Sequence, residues 1–220
     1  MSYHRKDSIT RWVTRILHLA AASAILSTST AAAIAQNIVR VEEDWELVLG
    51  APDQLVCGPQ VVTTMSPFGD LAGTYFTLEI NHRSLPYWTP GGMSMHQWEG
   101  ENRIQSYDRA DRTVMNTTNE VVTWTQYMYI ENGNRLVFEI QNGESTTWGP
   151  FGFSGLFKVK ANWNQVHIND YSPAVSVAAS GVPYAGNRVQ SLTLKEVRAT
   201  LSDGRVLTDS TPKVAHMLVE

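Results

Sequence analysis

Apolar and polar residues alternate along much of the chain after residue 36. In residues 74–81, Phe76, Leu78 and Ile80 fall on one side and polar residues on the other, which predicts a strand with one face on a core. Residues 121–130 alternate in the same way but carry bulky side chains on both sides, so we expect a central strand covered on both faces. Strands, rather than helices, are therefore the expected building blocks.

Shorter segments of the same character predict the remaining strands. These segments are residues 45–49, 92–98, 103–107, 113–116, 136–140, 156–163, 191–198 and 205–207. The apolar positions change phase within residues 191–201, which predicts a bulge near Lys195 and Glu196. A sustained helical period is absent after residue 36, although residues 171–179 allow a short helix.

Pairs of Asn-Gly and Asp-Gly lie between several of these segments. Asn and Gly tolerate the positive φ angles that tight hairpin turns require. Asn132-Gly133, Asn142-Gly143 and Asp203-Gly204 therefore predict hairpins, whose strands are antiparallel neighbours. Many short antiparallel strands in one domain predict an all-β fold, and we favour an antiparallel β-sandwich over a barrel.

The first 35 residues differ from the rest. Four basic residues are followed by an apolar run over residues 16–26 and by Ala33-Ile34-Ala35. This is the order of a secretory signal, and a run of about 11 residues is shorter than the roughly 20 that span a bilayer as a helix. We predict a signal peptide over residues 1–35, a single sandwich domain over residues 36–220, and a secreted protein, periplasmic or extracellular. A cut near Ala33 and an uncleaved anchor are the alternatives.

The net charge of the chain argues against some classes of binding partner. Without the four bases and one acid of residues 1–35, the chain keeps 13 bases and 20 acids, a net charge of −7. Such acidity argues against nucleic acid and anionic membranes, whose binding requires basic surfaces. No later segment is apolar for long enough to span a membrane. Cys57 is the only cysteine, so we expect a buried thiol in place of an internal disulfide, with an intermolecular bridge or a nucleophile as alternatives.

The arrangement of strands and loops in the second half carries a family resemblance. The two-sided strands of residues 120–140, the Trp-Gly loop of residues 145–152 and the closing hairpin of residues 191–207 resemble the concanavalin A-like jelly roll of lectins and glucanases. The resemblance implies that the domain is a jelly-roll sandwich and that it contacts carbohydrate. The glucanases carry two glutamates and an aspartate alternating along one strand. We expect this set to be missing here, because the nearest candidate, residues 79–82, lacks both partner carboxylates.

Aromatic residues in loops suggest where a sugar would bind, since sugars stack on flat rings. His96 and Trp98 are two apart on a predicted strand and face the same way. Trp88 lies in the adjacent Pro-Gly loop, and Trp148 lies in the loop after Asn142-Gly143. We predict that these four residues line a carbohydrate-binding groove, with core packing as the alternative. Core packing is what we expect for Trp45, Trp124 and Trp163.

Candidate catalytic and metal-binding groups are scattered. Glycoside hydrolysis requires two carboxylates, and Glu99 with Glu101 at a strand end is the nearest pair, in a segment typical of a solvated loop. The histidines show no ligand spacing, and no G-x-S-x-G motif marks a serine nucleophile. We therefore predict no catalytic residue, metal or cofactor.

The hypothesis we favour is a secreted, non-catalytic carbohydrate-binding module whose partner is a polysaccharide. A polysaccharide-cleaving glycosidase or lyase with an atypical site is one alternative. A structural or adhesive protein of the cell envelope is the other.

Overall fold

Two antiparallel sheets make up the fold. The computed structural model describes residues 36–51, 58–81, 91–109 and 113–219, with the backbone only at residues 108 and 109. The predicted leader, Cys57 and Trp88 lie outside these ranges.

The described residues form twelve strands and two short helices. The strands are β1 (Ile38–Leu49), β2 (Gln60–Met65), β3 (Thr74–Ile80), β4 (Met93–Glu99), β5 (Asn102–Arg109), β6 (Val121–Glu131), β7 (Arg135–Glu144), β8 (Lys158–Asn162), β9 (Gly181–Tyr184), β10 (Val189–Leu201), β11 (Val206–Asp209) and β12 (Lys213–Met217). The helices are α1 (Pro173–Ala178) and a 3-10 turn, Gly186–Arg188. Neither helix is long and apolar enough to cross a membrane.

The chain divides its strands between the sheets in blocks. The larger sheet has the order β11-β10-β1-β6-β7-β8, and β12 also pairs with β10. The smaller sheet has the order β5-β4-β3-β2-β9. Every strand pairing is antiparallel, as the turn residues predicted. The predicted all-β antiparallel sandwich is therefore confirmed.

Side chains from both sheets form one core. The rings of Trp45 on β1 and Trp124 on β6 are stacked with centroids 6.5 Å apart within the larger sheet. Phe76 of β3 stacks on Phe138 of β7 at 5.3 Å and joins the two sheets. Offset stacking of this kind adds to the hydrophobic effect of burying such large rings.

Several local predictions are confirmed. The pairs Asn132-Gly133 and Asp203-Gly204 turn between paired strands, with positive φ at Asn132, Gly133 and Gly204. On β10, Glu196 faces Asp44 while Leu194 faces Trp45, which leaves Lys195 as the extra residue of the predicted bulge.

The predicted turn at Asn142-Gly143 is wrong. Both residues lie inside β7, where Glu144 faces Thr123 but Gln141 faces Thr125, so the pair forms a bulge. A positive φ of 55° at Asn142 suits a bulge as well as a turn. A Cβ at Gly143 would lie 2.4 Å from the ring of Phe151, so only glycine admits this close approach.

The predicted strand at residues 113–116 is also wrong. Met115 is fully buried, but its backbone pairs with a side chain instead of a strand. Its N–H donates to Asn81 Oδ1 at 2.8 Å, and its carbonyl accepts from Asn81 Nδ2 at 3.0 Å. Because the amide of Asn81 satisfies both groups, no partner strand is required.

Candidate functional site

Two of the four residues predicted to bind sugar lie together. His96 and Trp98 share the outer face of β4, edge to face, with ring centroids 6.0 Å apart. Trp98 is half-buried, stacks on Tyr75 with centroids 6.0 Å apart, and donates its indole N–H to Thr77 Oγ1. Alternation along the strand was the signal that placed the two residues on one face.

Trp148 lies in the core instead. Its ring packs edge-on against Phe151 with centroids 5.6 Å apart, and its indole N–H donates to the carbonyl of Thr113. Trp88 lies outside the described residues. The structure therefore pairs His96 with Trp98 and separates Trp148 from that face, while sugar binding by these residues stays a prediction.

A cleft of about 450 Å³ lies where the two sheets meet at one end of the sandwich. It is formed by the start of β3 and the loop before it, the β6–β7 turn, and the end of β8. Its volume is in the range of sites for small ligands. The lining residues are Phe68, Thr74, Asn134, Arg135, Asn162, Trp163, Asn164 and Gln165.

Trp163 borders this cleft with the small part of its side chain that is not buried. Its ring packs against Phe68 with centroids 5.6 Å apart, and only 7% of the residue is exposed. The indole N–H is buried and has no hydrogen-bond acceptor among the described residues. A buried donor without a partner costs about 1–3 kcal/mol, so an oxygen that reached it would be held there.

Amide side chains form most of the polar lining. Asn134, Asn162 and Asn164 are exposed, and Gln165 is half-buried beside them. Arg135 donates to Asn162 Oδ1 and is the only charged residue of the lining. Each amide offers both donors and an acceptor, which suits ligands with many hydroxyl groups. No described carboxylate lines the cleft, so the acid pair of a glycosidase is not found there.

A row of acids on the larger sheet was missed by the sequence analysis. Strand β1 begins at Ile38 and not at residue 45, so Glu42 and Asp44 belong to the same strand as Glu46. Residues two apart on a strand point the same way, and all three face away from the core. The set of two glutamates and an aspartate that we expected to be missing therefore exists, and we call these three residues the acid row.

Glu43 is the reason that the acid row was missed. It interrupts the apolar alternation of Val41, Trp45 and Leu47, so that residues 42–44 read as a solvated acidic run. Counting Glu43 as an inner position would have revealed the strand and its outer acids. Glu43 is fully buried, and burial raises its pKa above the ordinary value of 4.5, against the opposing effect of its hydrogen bonds.

Each member of the acid row is paired with a cation. Arg198 on β10 contacts Glu42 Oε2 at 3.1 Å and reaches both oxygens of Asp44, at 2.5 and 3.0 Å. Lys195 lies 3.1 Å from Glu46 Oε1. Neighbouring members are about 6.7 Å apart along the strand, which is within the range of about 5–9.5 Å for the two carboxyls of glycosidases.

Within the described ranges, no three His, Cys, Asp or Glu side chains are grouped to hold a metal ion. Neither protein-family models nor curated proteins match this sequence.

Proposed function

We propose that the domain is a carbohydrate-binding module whose sugar site, the cleft bordered by Trp163, is itself non-catalytic. The supporting observation is the composition of the cleft: the edge of a largely buried indole, surrounded by amides and free of described carboxylates. A concanavalin A-like jelly roll, exported by the segment of residues 1–35, is the fold subtype and location that belong to this proposal.

The chemistry of sugars fits such a lining. A pyranose ring presents C–H groups to an aromatic face and hydroxyls at its edge. The hydroxyls exchange hydrogen bonds with planar amides, which donate and accept from the same group. In the proposed complex, the sugar lies against the exposed edge of Trp163, and Asn164 and Gln165 hold its hydroxyls.

Isothermal titration calorimetry with soluble neutral and uronate polysaccharides tests the proposal. Asn164→Ala and Gln165→Ala change side chains at the open end of the cleft and should leave the fold intact. Each lost hydrogen bond removes about 0.5–1.5 kcal/mol, so the double variant should bind roughly tenfold more weakly. Gln190→Ala, which changes an exposed amide on β10, is the matched control and should bind normally.

Two outcomes would overturn the proposal. The first is that the folded protein binds none of the polysaccharides. The second is that the Asn164 and Gln165 variants bind as well as the control while Trp98→Ala does not, which would move the site to the outer face of β4.

Cleavage of polysaccharide is the second candidate function, and the acid row favours it. The alternation of Glu42, Asp44 and Glu46 on one strand is the signature that the resemblance to glucanases implies. In this mechanism one glutamate protonates the leaving oxygen and the other attacks the sugar or activates water. Release of reducing ends from glucans, lost in Glu42→Gln and in Glu46→Gln but kept in Glu144→Gln, would establish it. No release by the folded protein would remove it.

A further inference from the structure

Three polar side chains form a continuous chain across the outer face of the smaller sheet. They come from neighbouring strands: Ser106 from β5, His96 from β4 and Glu79 from β3. Ser106 lies directly opposite His96 in the strand register. The three residues are remote in sequence, so only strand pairing brings them together.

The connectivity is that of a nucleophile, a base and an orienting carboxylate. Ser106 Oγ lies 2.7 Å from His96 Nδ1, and His96 Nε2 lies 3.3 Å from Glu79 Oε1. Ser94 Oγ also contacts Nε2, at 3.1 Å. Gln60 donates to the second oxygen of Glu79 at 3.0 Å and anchors the carboxylate.

The carboxylate selects the tautomer of His96. A carboxylate only accepts hydrogen bonds, so Nε2 carries the ring proton that Glu79 accepts. Nδ1 is then the unprotonated nitrogen, and it faces the hydroxyl of Ser106. A base in this state at hydrogen-bond distance is what activates a serine for attack.

His96 and Ser106 differ in their exposure to solvent, which suits their different roles. His96 is 1% exposed, and its ring is held edge-on against Trp98. Ser106 is exposed to solvent on the same face. The base is therefore fixed and shielded from water, while the nucleophile is accessible to a substrate.

We propose that Ser106, His96 and Glu79 form a catalytic relay that hydrolyses carboxylic esters. Ser106 Oγ attacks the carbonyl carbon of the ester while its proton moves to His96 Nδ1. The bond to the leaving oxygen breaks, and the alcohol departs with that proton. Water then attacks the acyl-serine and gives a proton to Nδ1, which returns it to Ser106 Oγ as the carboxylic acid leaves.

This activity is independent of the sugar cleft. The relay lies on the outer face of the smaller sheet, whereas the cleft lies at the end of the sandwich around Trp163. The serine sits on a strand and not on a strand-to-helix turn, so the G-x-S-x-G motif does not mark it. Glu79 acts through His96 and is a positioning residue, not a catalytic one.

Labelling with a fluorophosphonate and hydrolysis of p-nitrophenyl acetate by the full protein test the proposal. We expect one equivalent of probe on Ser106, located by peptide mass spectrometry. Ser106→Ala should abolish this adduct and reduce hydrolysis by about 100-fold or more. Ser202→Ala, at an exposed serine in the β10–β11 turn, is the matched control and should behave as wild type.

Two further variants separate chemistry from folding. Ser106→Cys keeps a nucleophile at the same place and should react with iodoacetamide faster than Ser202→Cys does. Glu79→Gln should lower kcat with little change in KM, which a general loss of structure would not produce. The proposal is overturned if the folded protein gains no adduct at Ser106, or if Ser106→Ala hydrolyses the ester at the rate of the Ser202 control.

Discussion

Replacing Glu43 with glutamine measures what a buried carboxyl group does to this fold. Its oxygens accept hydrogen bonds from Trp45 Nε1 at 2.9 Å, Gln126 Nε2 at 3.0 Å and the Tyr171 hydroxyl at 2.7 Å. Glutamine has the same shape. Its oxygen can accept from Trp45 and Gln126, and its NH₂ group can donate to the oxygen of Tyr171. We therefore expect Glu43→Gln to fold normally.

The two proteins should differ in how stability depends on pH. Because burial raises the pKa of Glu43 above 4.5, the folded protein keeps a proton there that the unfolded chain releases. The contribution of Glu43 to the free energy of unfolding is therefore fully present below pH 4.5 and falls as the pH rises toward the raised pKa. The fall is about 1.4 kcal/mol for each pH unit of that interval. Glu43→Gln carries no titratable proton and lacks this dependence.

Urea unfolding of both proteins at a series of pH values from about 4.5 upward checks the expectation. The stability of Glu43→Gln relative to wild type should increase with pH until the raised pKa of Glu43 is reached, and should level off above it. Parallel curves across this interval would refute the reasoning, because they would mean that Glu43 is ionised in the folded state. Glu43→Leu is the contrasting variant: it leaves three buried donors without an acceptor and should lose roughly 3 kcal/mol or more at every pH.

Three further substitutions test the packing around the sites. Glu120 is buried, which would raise its pKa, but hydrogen bonds from the loop of residues 145–147 outweigh burial and lower it. Glu120→Ala should cost about 2–3 kcal/mol in urea unfolding at neutral pH, and the wild type should lose that contribution as the pH falls below 4.5. Gly152→Ala places a Cβ 2.9 Å from the carbonyl oxygen of Ile140 at a φ of 69°, so its thermal midpoint should fall by several degrees. Arg198→Gln leaves the acid row without its shared cation. Because these ion pairs are half-exposed, the free energy of unfolding measured by calorimetry should fall by only about 1 kcal/mol. An unchanged midpoint or free energy would contradict each expectation in turn.

Most of the strand architecture could be predicted from the sequence, because the alternation of side chains and the positive φ of Asn-Gly pairs are local properties. Residues 121–130, the Asn132-Gly133 turn and the bulge at Lys195 are examples. Two of the errors arose where a distant group satisfied the backbone or a polar side chain. Asn81 takes the place of a strand partner for Met115, and distant donors allow Glu43 to occupy an inner position.

The candidate sites depend on tertiary structure more than the strands do. Sequence alone determined that the chain is acidic, strand-rich and antiparallel, and that His96 and Trp98 share a face. Only the pairing of β3, β4 and β5 decided that Ser106 and Glu79 meet the two nitrogens of His96. Only the meeting of the two sheets decided that Trp163, a core residue as predicted, also borders an open cleft. The physical reason is that alternation fixes which way a side chain points, whereas its neighbours across strands come from residues far away in the chain.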